Sequence, residues 1–144
     1  MSDLNLKHQK TIFTNGCFDI LHLGHIELLK YCKSLGRVVV GLNSDQSVKK
    51  LKGESRPINN ESDRKSILEA CRYVDEVVIF DEETPIELIR SLKPDLIIKG
   101  GDYEASDVAG SGIAKVEIFN FIKGYSTTDT IKKLNVNPQN KENK

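Results

Sequence analysis

The sequence lacks the features that mark membrane, secreted and nucleic-acid-binding proteins. Its longest uninterrupted apolar run is about Val38 to Leu42, far short of the roughly 20 residues that a membrane-spanning helix needs. The N-terminal segment, Met1 to Lys10, is polar and holds no apolar stretch typical of a secretory signal. With 21 basic and 21 acidic residues the net charge is zero, which argues against a dedicated nucleic-acid binder. We therefore expect neither a membrane nor a nucleic acid as partner.

Cysteine is also scarce. The three cysteines, Cys17, Cys32 and Cys71, are far apart and form no Cys-x-x-Cys pair. This spacing disfavours both a disulfide framework and a structural zinc site. We expect a reducing, cytoplasmic location.

The length of the chain favours one domain. A chain of 144 residues, 38% of them hydrophobic, can bury a sizeable core without a metal or a disulfide. We assign residues 1–134 to a single domain. The remaining segment, residues 135–144, holds one apolar side chain, Val136, and is predicted to be disordered.

Short β-branched runs alternate along the chain with segments of helical periodicity. The runs predict strands at Thr11–Thr14, Val38–Leu42, Val77–Phe80, Leu96–Ile98 and Val116–Phe119. The periodic segments predict helices at Gly24–Leu35, Glu61–Tyr73, Pro85–Leu92 and Thr128–Leu134. This alternation predicts an α/β fold, a Rossmann-like, doubly wound parallel sheet of five strands. Ligands of such sheets bind beyond the carboxyl ends of the strands, so the segments that follow the strands are the candidate site.

Two histidines follow the first predicted strand, at the start of a helix. His22 and His25 lie where unpaired main-chain N–H groups and the helix dipole favour an anion. Gly24 between them lets a ligand approach the main chain. The arrangement suits a phosphate group; the alternatives are that the histidines cap the helix, or bind zinc together with Asp19. Zinc is disfavoured because no fourth Cys or His ligand is near.

A cluster of positive charge follows the second strand. Residues 49–56 carry four cations, among them Lys52 and Arg56. This run is either a solvated charged loop or a binding segment for the phosphates of a nucleotide and an acceptor. Arg64, on the next helix, either joins these phosphate contacts or pairs with Glu61 on the helix surface.

Two further segments offer groups for a nucleotide. Lys99, Gly100 and Asp102 follow the fourth strand, where glycine permits close approach of a base or ribose. The carboxylate could accept hydrogen bonds from ribose hydroxyls or cap the next turn. The last helix opens with hydroxyl groups that can hold phosphate oxygens or serve as ordinary caps, those of Ser126, Thr127 and Thr128.

These motifs resemble those of the cytidylyltransferase-like nucleotidyltransferases, which belong to the superfamily with the HIGH motif. Gly16-Cys17-Phe18-Asp19 followed by His22-x-Gly24-His25 matches the family signature G-x-F-D-x-x-H-x-G-H. Residues 124–128 match the family motif G-[IYC]-S-T-[ST], which contacts the triphosphate. The resemblance implies the Rossmann-like fold and a nucleotidyl transfer reaction.

The resemblance also implies a role for individual residues. It implies that the catalytic residues are His22, His25 and Lys52. It implies that the nucleotide is bound by Thr14, Asn15, Gly16, Cys17, Phe18, Gly24, Lys99, Gly100, Asp102, Ser126, Thr127 and Thr128. It implies that the acceptor phosphate is bound by Asn43, Arg56 and Arg64. Mg²⁺ is expected to arrive on the phosphates of the nucleotide, without a metal ligand from the chain.

Within this family, the strings Leu51 to Pro57 and Lys99 to Tyr103 resemble the branch that forms ADP-heptose. That resemblance implies transfer of AMP from ATP to a sugar 1-phosphate, heptose 1-phosphate, with release of pyrophosphate. It further implies a homodimer and a heptose-phosphate kinase on a separate chain.

Three alternatives stay open at this point. The first is a CTP-dependent cytidylyltransferase for glycerol 3-phosphate or another polyol or sugar phosphate, against which Phe121 stands in place of that group's arginine. The second is an FAD-forming adenylyltransferase. The third is a nucleotide-sensing module without turnover.

Overall fold

The computed structural model of the chain describes residues 9–120 and 127–135. Five parallel strands form one sheet in the order β3-β2-β1-β4-β5. Their bounds are β1 Thr11–Gly16, β2 Arg37–Asn43, β3 Glu76–Phe80, β4 Leu96–Gly100 and β5 Lys115–Phe119. The predicted doubly wound α/β fold and all five predicted strands are therefore confirmed.

Helices connect the strands. Their bounds are α1 Leu23–Leu35, α2 Asp45–Lys52, α3 Glu61–Glu69, α4 Ile86–Leu92 and α5 Thr127–Asn135, with a 3₁₀ turn at Ala105–Asp107. Across residues 9–120 and 127–135, no helix combines the length and the apolar character that a membrane crossing requires.

The sheet is covered on both faces because neighbouring residues of a strand point to opposite sides. Ile12 of β1 belongs to a buried cluster that includes Leu29 of α1 and Leu68 of α3. Phe13, the next residue, belongs to a second cluster that includes Ile89 of α4. Burial on both faces explains why the central strands appear in the sequence as continuous apolar runs.

The ring of Phe13 requires a glycine on the neighbouring strand. A Cβ atom added to Gly41 of β2 would lie 2.7 Å from that ring, a distance that the packed core cannot accommodate without movement. Gly41 thus lets the second core cluster close over the centre of the sheet.

Strand order places a crevice at one end of the sheet. The chain runs outward from β1 through β2 to β3, and then crosses to β4 and β5 on the other side of β1. Strand β1 therefore lies between β2 and β4, and the direction of winding reverses at the carboxyl ends of β1 and β4. Such a reversal point is where doubly wound sheets bind ligands.

The first departure from the predictions is helix α2. Residues 45–52 form a helix that the sequence did not predict, and its second half belongs to the charged run at residues 49–56. Ser44 caps its first turn by accepting a hydrogen bond from the N–H of Ser47 at 3.2 Å. Val48 is its buried apolar residue. Its lysines fall in the last turn, where cations interact favourably with the helix dipole.

The second departure concerns helix ends. The helix predicted to reach Tyr73 ends at Glu69, since residues 70–75 turn to bring the Asp75 carboxylate within 2.8 Å of the N–H of Val38 on β2. Helix α5 includes Asn135, which the sequence assigned to the tail. The rest of that predicted tail, 136–144, lies outside the described residues.

Candidate active site

A cleft of about 450 Å³ opens at the carboxyl ends of β1 and β4. It brings together residues from every predicted post-strand segment. The predicted site residues that line it are Asn15, Gly16, Cys17, Phe18, His22, His25, Asn43, Lys52, Arg56, Lys99, Gly100 and Thr128. Residues that lie far apart in the sequence thus form one concave surface at the reversal point of the sheet.

The segment after β1 makes a tight turn to reach the first helix. Phe18 has a φ of +44°, a left-handed conformation that costs energy for a residue with a side chain. Its ring folds back over Gly16, where an added Cβ atom would lie 3.2 Å from the ring. The turn carries the chain to Asp19 and then to His22, the residue that precedes α1.

The two histidines are stacked at the start of α1. Their ring centroids lie 3.8 Å apart with an interplanar angle of 24°, and the ring of Phe18 lies 5.1 Å from that of His25. The main-chain N–H of His22 donates to Nδ1 of His25 at 3.3 Å. A neutral His25 therefore carries its proton on Nε2.

Burial is the main influence on the charge of His25. Burial, followed by the proximity of His22, lowers the pKa of His25 to about 3. Its imidazole is consequently neutral at pH 7 and can donate one hydrogen bond from Nε2 without bringing a net charge.

Three cations line the cleft together with the histidines. Lys52 comes from the last turn of α2, Arg56 from the segment after it and Lys99 from β4. Burial lowers the pKa of Lys99, and the nearby Lys52 lowers it further, whereas Cys17 acts in the opposite direction. Burial also raises the pKa of the Cys17 thiol, although these cations act to lower it. Positive charge gathered in a half-closed cleft suits a polyphosphate.

Asp19 fixes the position of Arg56. The Asp19 side chain is fully buried and accepts hydrogen bonds from Nε of Arg56 at 2.9 Å and from the N–H groups of Ile58 and Asn59. Burial alone would raise the pKa of Asp19, but these hydrogen bonds and the Arg56 charge outweigh it and lower that pKa. Because Nε makes this bond, the terminal nitrogens of Arg56 remain for a ligand in the cleft.

Arg64 lies in a different place from the one predicted. Its side chain has no exposed surface and donates to the carbonyl oxygens of Cys17, Asn43 and Asn59. Its ion pair is with Asp45 at 2.8 Å. The alternative pair with Glu61 is wrong for this structure. These internal partners enclose the guanidinium away from the cleft lining, so the structure gives no support to the expected contact with an acceptor phosphate.

The remaining predicted residues either are absent from the cleft lining or lie outside the described residues. Thr14 is fully buried on β1, Gly24 lies in the first turn of α1 and Asp102 is exposed outside the cleft lining. The main chain of Thr127 begins α5. Ser126 and Phe121 lie outside the described residues.

Four lining residues were missed by the sequence reasoning, namely Leu28, Leu51, Glu83 and Tyr103. Glu83 lies in the loop after β3. In this loop, the carbonyl of Glu82 accepts a hydrogen bond from the hydroxyl of Ser47 at 2.8 Å. The segment after β3 was not considered, although it follows a strand like the others. Tyr103 contributes an aromatic ring whose centroid lies 5.3 Å from Nζ of Lys99.

The zinc alternative finds no support in the described ranges. Within them, no group of three or more His, Cys, Asp or Glu side chains is placed to hold a metal ion. Asp19, the third residue of that alternative, instead binds Arg56 and two main-chain amides.

Comparison with known proteins identifies relatives of this chain. It is 56% identical over 131 residues to the bifunctional protein HldE of Aliarcobacter butzleri, a match that covers 90% of this chain and 28% of that protein. It is also 56% identical over 133 residues to the protein of the same name from Campylobacter jejuni subsp. doylei, covering 91% of this chain and 29% of that protein. The chain thus spans less than a third of the length of these relatives.

Solved structures share the fold. A lipopolysaccharide core biosynthesis protein from Thermoplasma volcanium superposes with a TM-score of 0.65 at 32% identity, covering 82% of this chain and 99% of that one. A pantoate-beta-alanine ligase from Francisella tularensis gives a TM-score of 0.64 at 19% identity, covering 90% of this chain and 67% of that one. The latter likeness concerns the fold alone.

The family assignment rests on the match of a whole-domain model. A family model described as Cytidylyltransferase-like matches residues 13–133, a range that includes every segment lining the cleft. The signature at residues 16–25 forms the turn and the histidine pair within it. The chain therefore belongs to the cytidylyltransferase-like family of nucleotidyltransferases.

Proposed function

We propose that the chain transfers the AMP moiety of ATP to the phosphate of heptose 1-phosphate, giving ADP-heptose and pyrophosphate. An oxygen of the acceptor phosphate forms a bond to the α-phosphorus, and the bond between the α-phosphorus and the bridging oxygen breaks. Pyrophosphate leaves with that electron pair. The observation that carries the proposal is the single cleft that is lined by both histidines and by Lys52, Arg56 and Lys99.

The identity of the acceptor is supported by resemblance. The strings at residues 51–57 and 99–103 resemble the branch of the family that forms ADP-heptose. The similar Thermoplasma protein carries the name of a lipopolysaccharide core biosynthesis protein, and that name supports a sugar phosphate as the acceptor.

The acceptor phosphate needs no general base in this reaction. A sugar 1-phosphate is already an anionic nucleophile at pH 7. The cleft then has to align two anions and to offset their combined charge, which is catalysis by positioning and electrostatic stabilisation.

His25 is proposed as a neutral hydrogen-bond donor to the α-phosphate. Its Nδ1 is occupied by the N–H of His22 at 3.3 Å, so the Nε2–H is the group left to donate. His22 is proposed as the second donor, at the N-terminus of α1. Charge develops on the phosphates as pyrophosphate leaves, and fixed donors stabilise that charge.

The cations divide between the two substrates. We assign Lys52, together with Ser126, Thr127 and Thr128, to the β- and γ-phosphates. Arg56, whose terminal nitrogens remain after its bond to Asp19, is assigned to the acceptor phosphate. Asn43 also lines the cleft, and its side-chain amide donates to the hydroxyl of Ser47 at 2.9 Å.

Mg²⁺ is proposed to enter with the nucleotide. Among the described lining residues, Glu83 is the one carboxylate, which is too few for a site built by the protein alone. These residues fit an ion held by the triphosphate oxygens. When bound there, the ion compensates the charge of the leaving pyrophosphate.

We also propose that the protein acts as a cytoplasmic homodimer and that a heptose-phosphate kinase works in the same pathway. The name bifunctional protein, borne by the HldE relatives, supports a second activity alongside this one. Light scattering on the purified protein tests the dimer, and a monomeric mass would contradict it.

Pyrophosphate release tests the reaction itself. ATP and CTP are each paired with heptose 1-phosphate, glycerol 3-phosphate and flavin mononucleotide, with Mg²⁺ present. We expect the highest kcat/KM with ATP and heptose 1-phosphate, and loss of that activity in His25→Ala. A preference for CTP and glycerol 3-phosphate, or for the flavin, would contradict the proposal, as would nucleotide binding without release of pyrophosphate.

A further inference from the structure

Arg64 connects three segments that border the cleft. Its Nη1 donates to the carbonyl oxygens of Cys17 at 2.7 Å and Asn43 at 2.8 Å, and its Nε donates to that of Asn59 at 2.8 Å. These carbonyls belong to the turn after β1, the end of β2 and the segment before α3. The fourth partner is the Asp45 carboxylate, at 2.8 Å from Nη2.

The guanidinium is fully enclosed by these partners. Its side chain has no exposed surface, and Arg64 is absent from the lining of the cleft. Four of the five N–H directions of an arginine side chain are used by internal acceptors. Because the side chain has no exposed surface, a phosphate cannot reach the group in this arrangement.

Asn59 links Arg64 to the cleft. Its carbonyl accepts from Arg64, its N–H donates to the Asp19 carboxylate at 2.9 Å, and its side-chain amide donates to the Asp19 carbonyl at 2.9 Å. Asp19 in turn holds Nε of Arg56 at 2.9 Å. A continuous series of hydrogen bonds therefore runs from Arg64 through Asn59 and Asp19 to Arg56.

We propose that Arg64 is a positioning residue that sets the location of Arg56 without contacting either substrate. The proposal rests on the proposed function, in which Arg56 binds the acceptor phosphate. A lysine at position 64 keeps the charge but cannot direct hydrogen bonds to three carbonyls and a carboxylate at once. The segment around Asn59 would then lose a fixed partner, and Arg56 would shift with it.

The first experiment is a double-mutant cycle read by pyrophosphate release. Arg64→Lys is expected to lower kcat/KM by about 10²-fold, the scale of a misplaced binding group. In an Arg56→Ala background the same change is expected to cost less than about 3-fold, because its effect passes through Arg56. The matched control is Arg90→Lys, an exposed arginine of α4 paired with Glu87, for which we expect wild-type kinetics.

Equal losses in both backgrounds would overturn the proposal, since a direct substrate contact or a general loosening of the fold acts independently of Arg56. Wild-type activity in Arg64→Lys would overturn it as well. Should Arg64→Lys fail to fold, Asp45→Asn takes its place in the same cycle, because it removes the charge that pairs with Nη2 of Arg64. Asp45 lies outside the cleft lining.

Hydrogen exchange measured without substrate separates this inference from the proposed function. We expect the amides of Ile58 and Asn59 to exchange faster in Arg64→Lys than in the wild type and in Arg90→Lys, because their acceptor Asp19 is less well held. Unchanged exchange would overturn the role of Arg64 even in an active enzyme. If no substrate pair gives pyrophosphate with the wild type, the proposed function fails, whatever the exchange shows.

Discussion

Replacing Asp19 with Asn tests the most heavily hydrogen-bonded carboxylate at the cleft. The Asp19 side chain is fully buried and accepts from Arg56, Ile58 and Asn59 at 2.8 to 2.9 Å. An asparagine has one oxygen to accept and an NH₂ group that must face donors. The change would therefore leave Arg56, whose side chain is 13% exposed, without its counter-charge.

The expected loss of stability in Asp19→Asn follows from the hydrogen bonds and the ion pair that the substitution removes. Hydrogen bonds to a charged group contribute roughly 1.5 to 3 kcal/mol each, and breaking a buried ion pair by removing one partner costs about 3 to 5 kcal/mol. We expect Asp19→Asn to lower the free energy of unfolding by about 3 to 5 kcal/mol. For a domain of this size that corresponds to a fall in Tm of roughly 10 to 15 °C.

Urea denaturation and thermal melting at several pH values measure this effect. The folded-state pKa of Asp19 is lowered, so its contribution is complete above the unfolded pKa of about 3.9 and is lost as pH falls through the folded value. The gap between wild type and variant should be constant from pH 5 to pH 8 and shrink in acid. The control is Asp107→Asn, at an exposed aspartate of the 3₁₀ turn. A gap below 1 kcal/mol at pH 7, or one that widens in acid, would refute the reasoning.

Three further predictions concern His25, Lys52 and Gly41. The imidazole of His25 should stay neutral with its proton on Nε2 from pH 5 to pH 8 in NMR spectra, since its pKa is about 3. In the unfolded chain the same imidazole takes up a second proton below about pH 6.5, so the free energy of unfolding should fall as the pH drops below that value. His25→Gln should reduce this dependence of stability on pH. An imidazole titrating near pH 6.5 would contradict this. Lys52→Ala should raise the KM for ATP by roughly 10-fold or more through the loss of a charged phosphate contact. The control is Lys50→Ala, at an exposed lysine of the same helix, which should change the KM for ATP less than about 2-fold. Equal effects of the two substitutions would refute the assignment of Lys52. Gly41→Ala should destabilise the fold by about 1 to 3 kcal/mol in urea titrations, because its Cβ would lie 2.7 Å from Phe13, whereas Gly112→Ala, with no atom within 4 Å, should not.

The strands and the histidine pair could be predicted because their signals are local. A strand buried on both faces needs a continuous apolar run, as at residues 38–42, and each of the five runs became a strand. His22 and His25 lie on a helix N-terminus that the sequence pattern marks directly. Their shared cleft with residues 52–56 and 99–100 follows from the parallel topology.

Helix α2 could not be predicted from periodicity. Its eight residues bury only Ser47 and Val48, and its three lysines resemble a solvated loop. The helix forms because Ser44 caps it and because Ser47 bonds to the Glu82 carbonyl, a contact made only in the tertiary structure. The same contact brings Glu83 to the cleft, which is why sequence reasoning missed that residue.

Arg64 illustrates a stricter limit of sequence reasoning. Three of its four acceptors are main-chain carbonyls, those of Cys17, Asn43 and Asn59, and carbonyl groups carry no sequence signal. Helical spacing from Glu61 offered a surface pair as the alternative to a phosphate contact, whereas Glu61 accepts the N–H of Asp45 at 3.1 Å. Burial of an arginine by such acceptors is visible only after the strands are assembled.

In the proposed reaction, the acceptor phosphate attacks the α-phosphorus of ATP within this cleft. The most direct test is to give the protein ATP and heptose 1-phosphate whose phosphate carries ¹⁸O, and to weigh the products by mass spectrometry. We expect all of the label in ADP-heptose and none in pyrophosphate. Label in pyrophosphate, or AMP formed without the sugar, would contradict it.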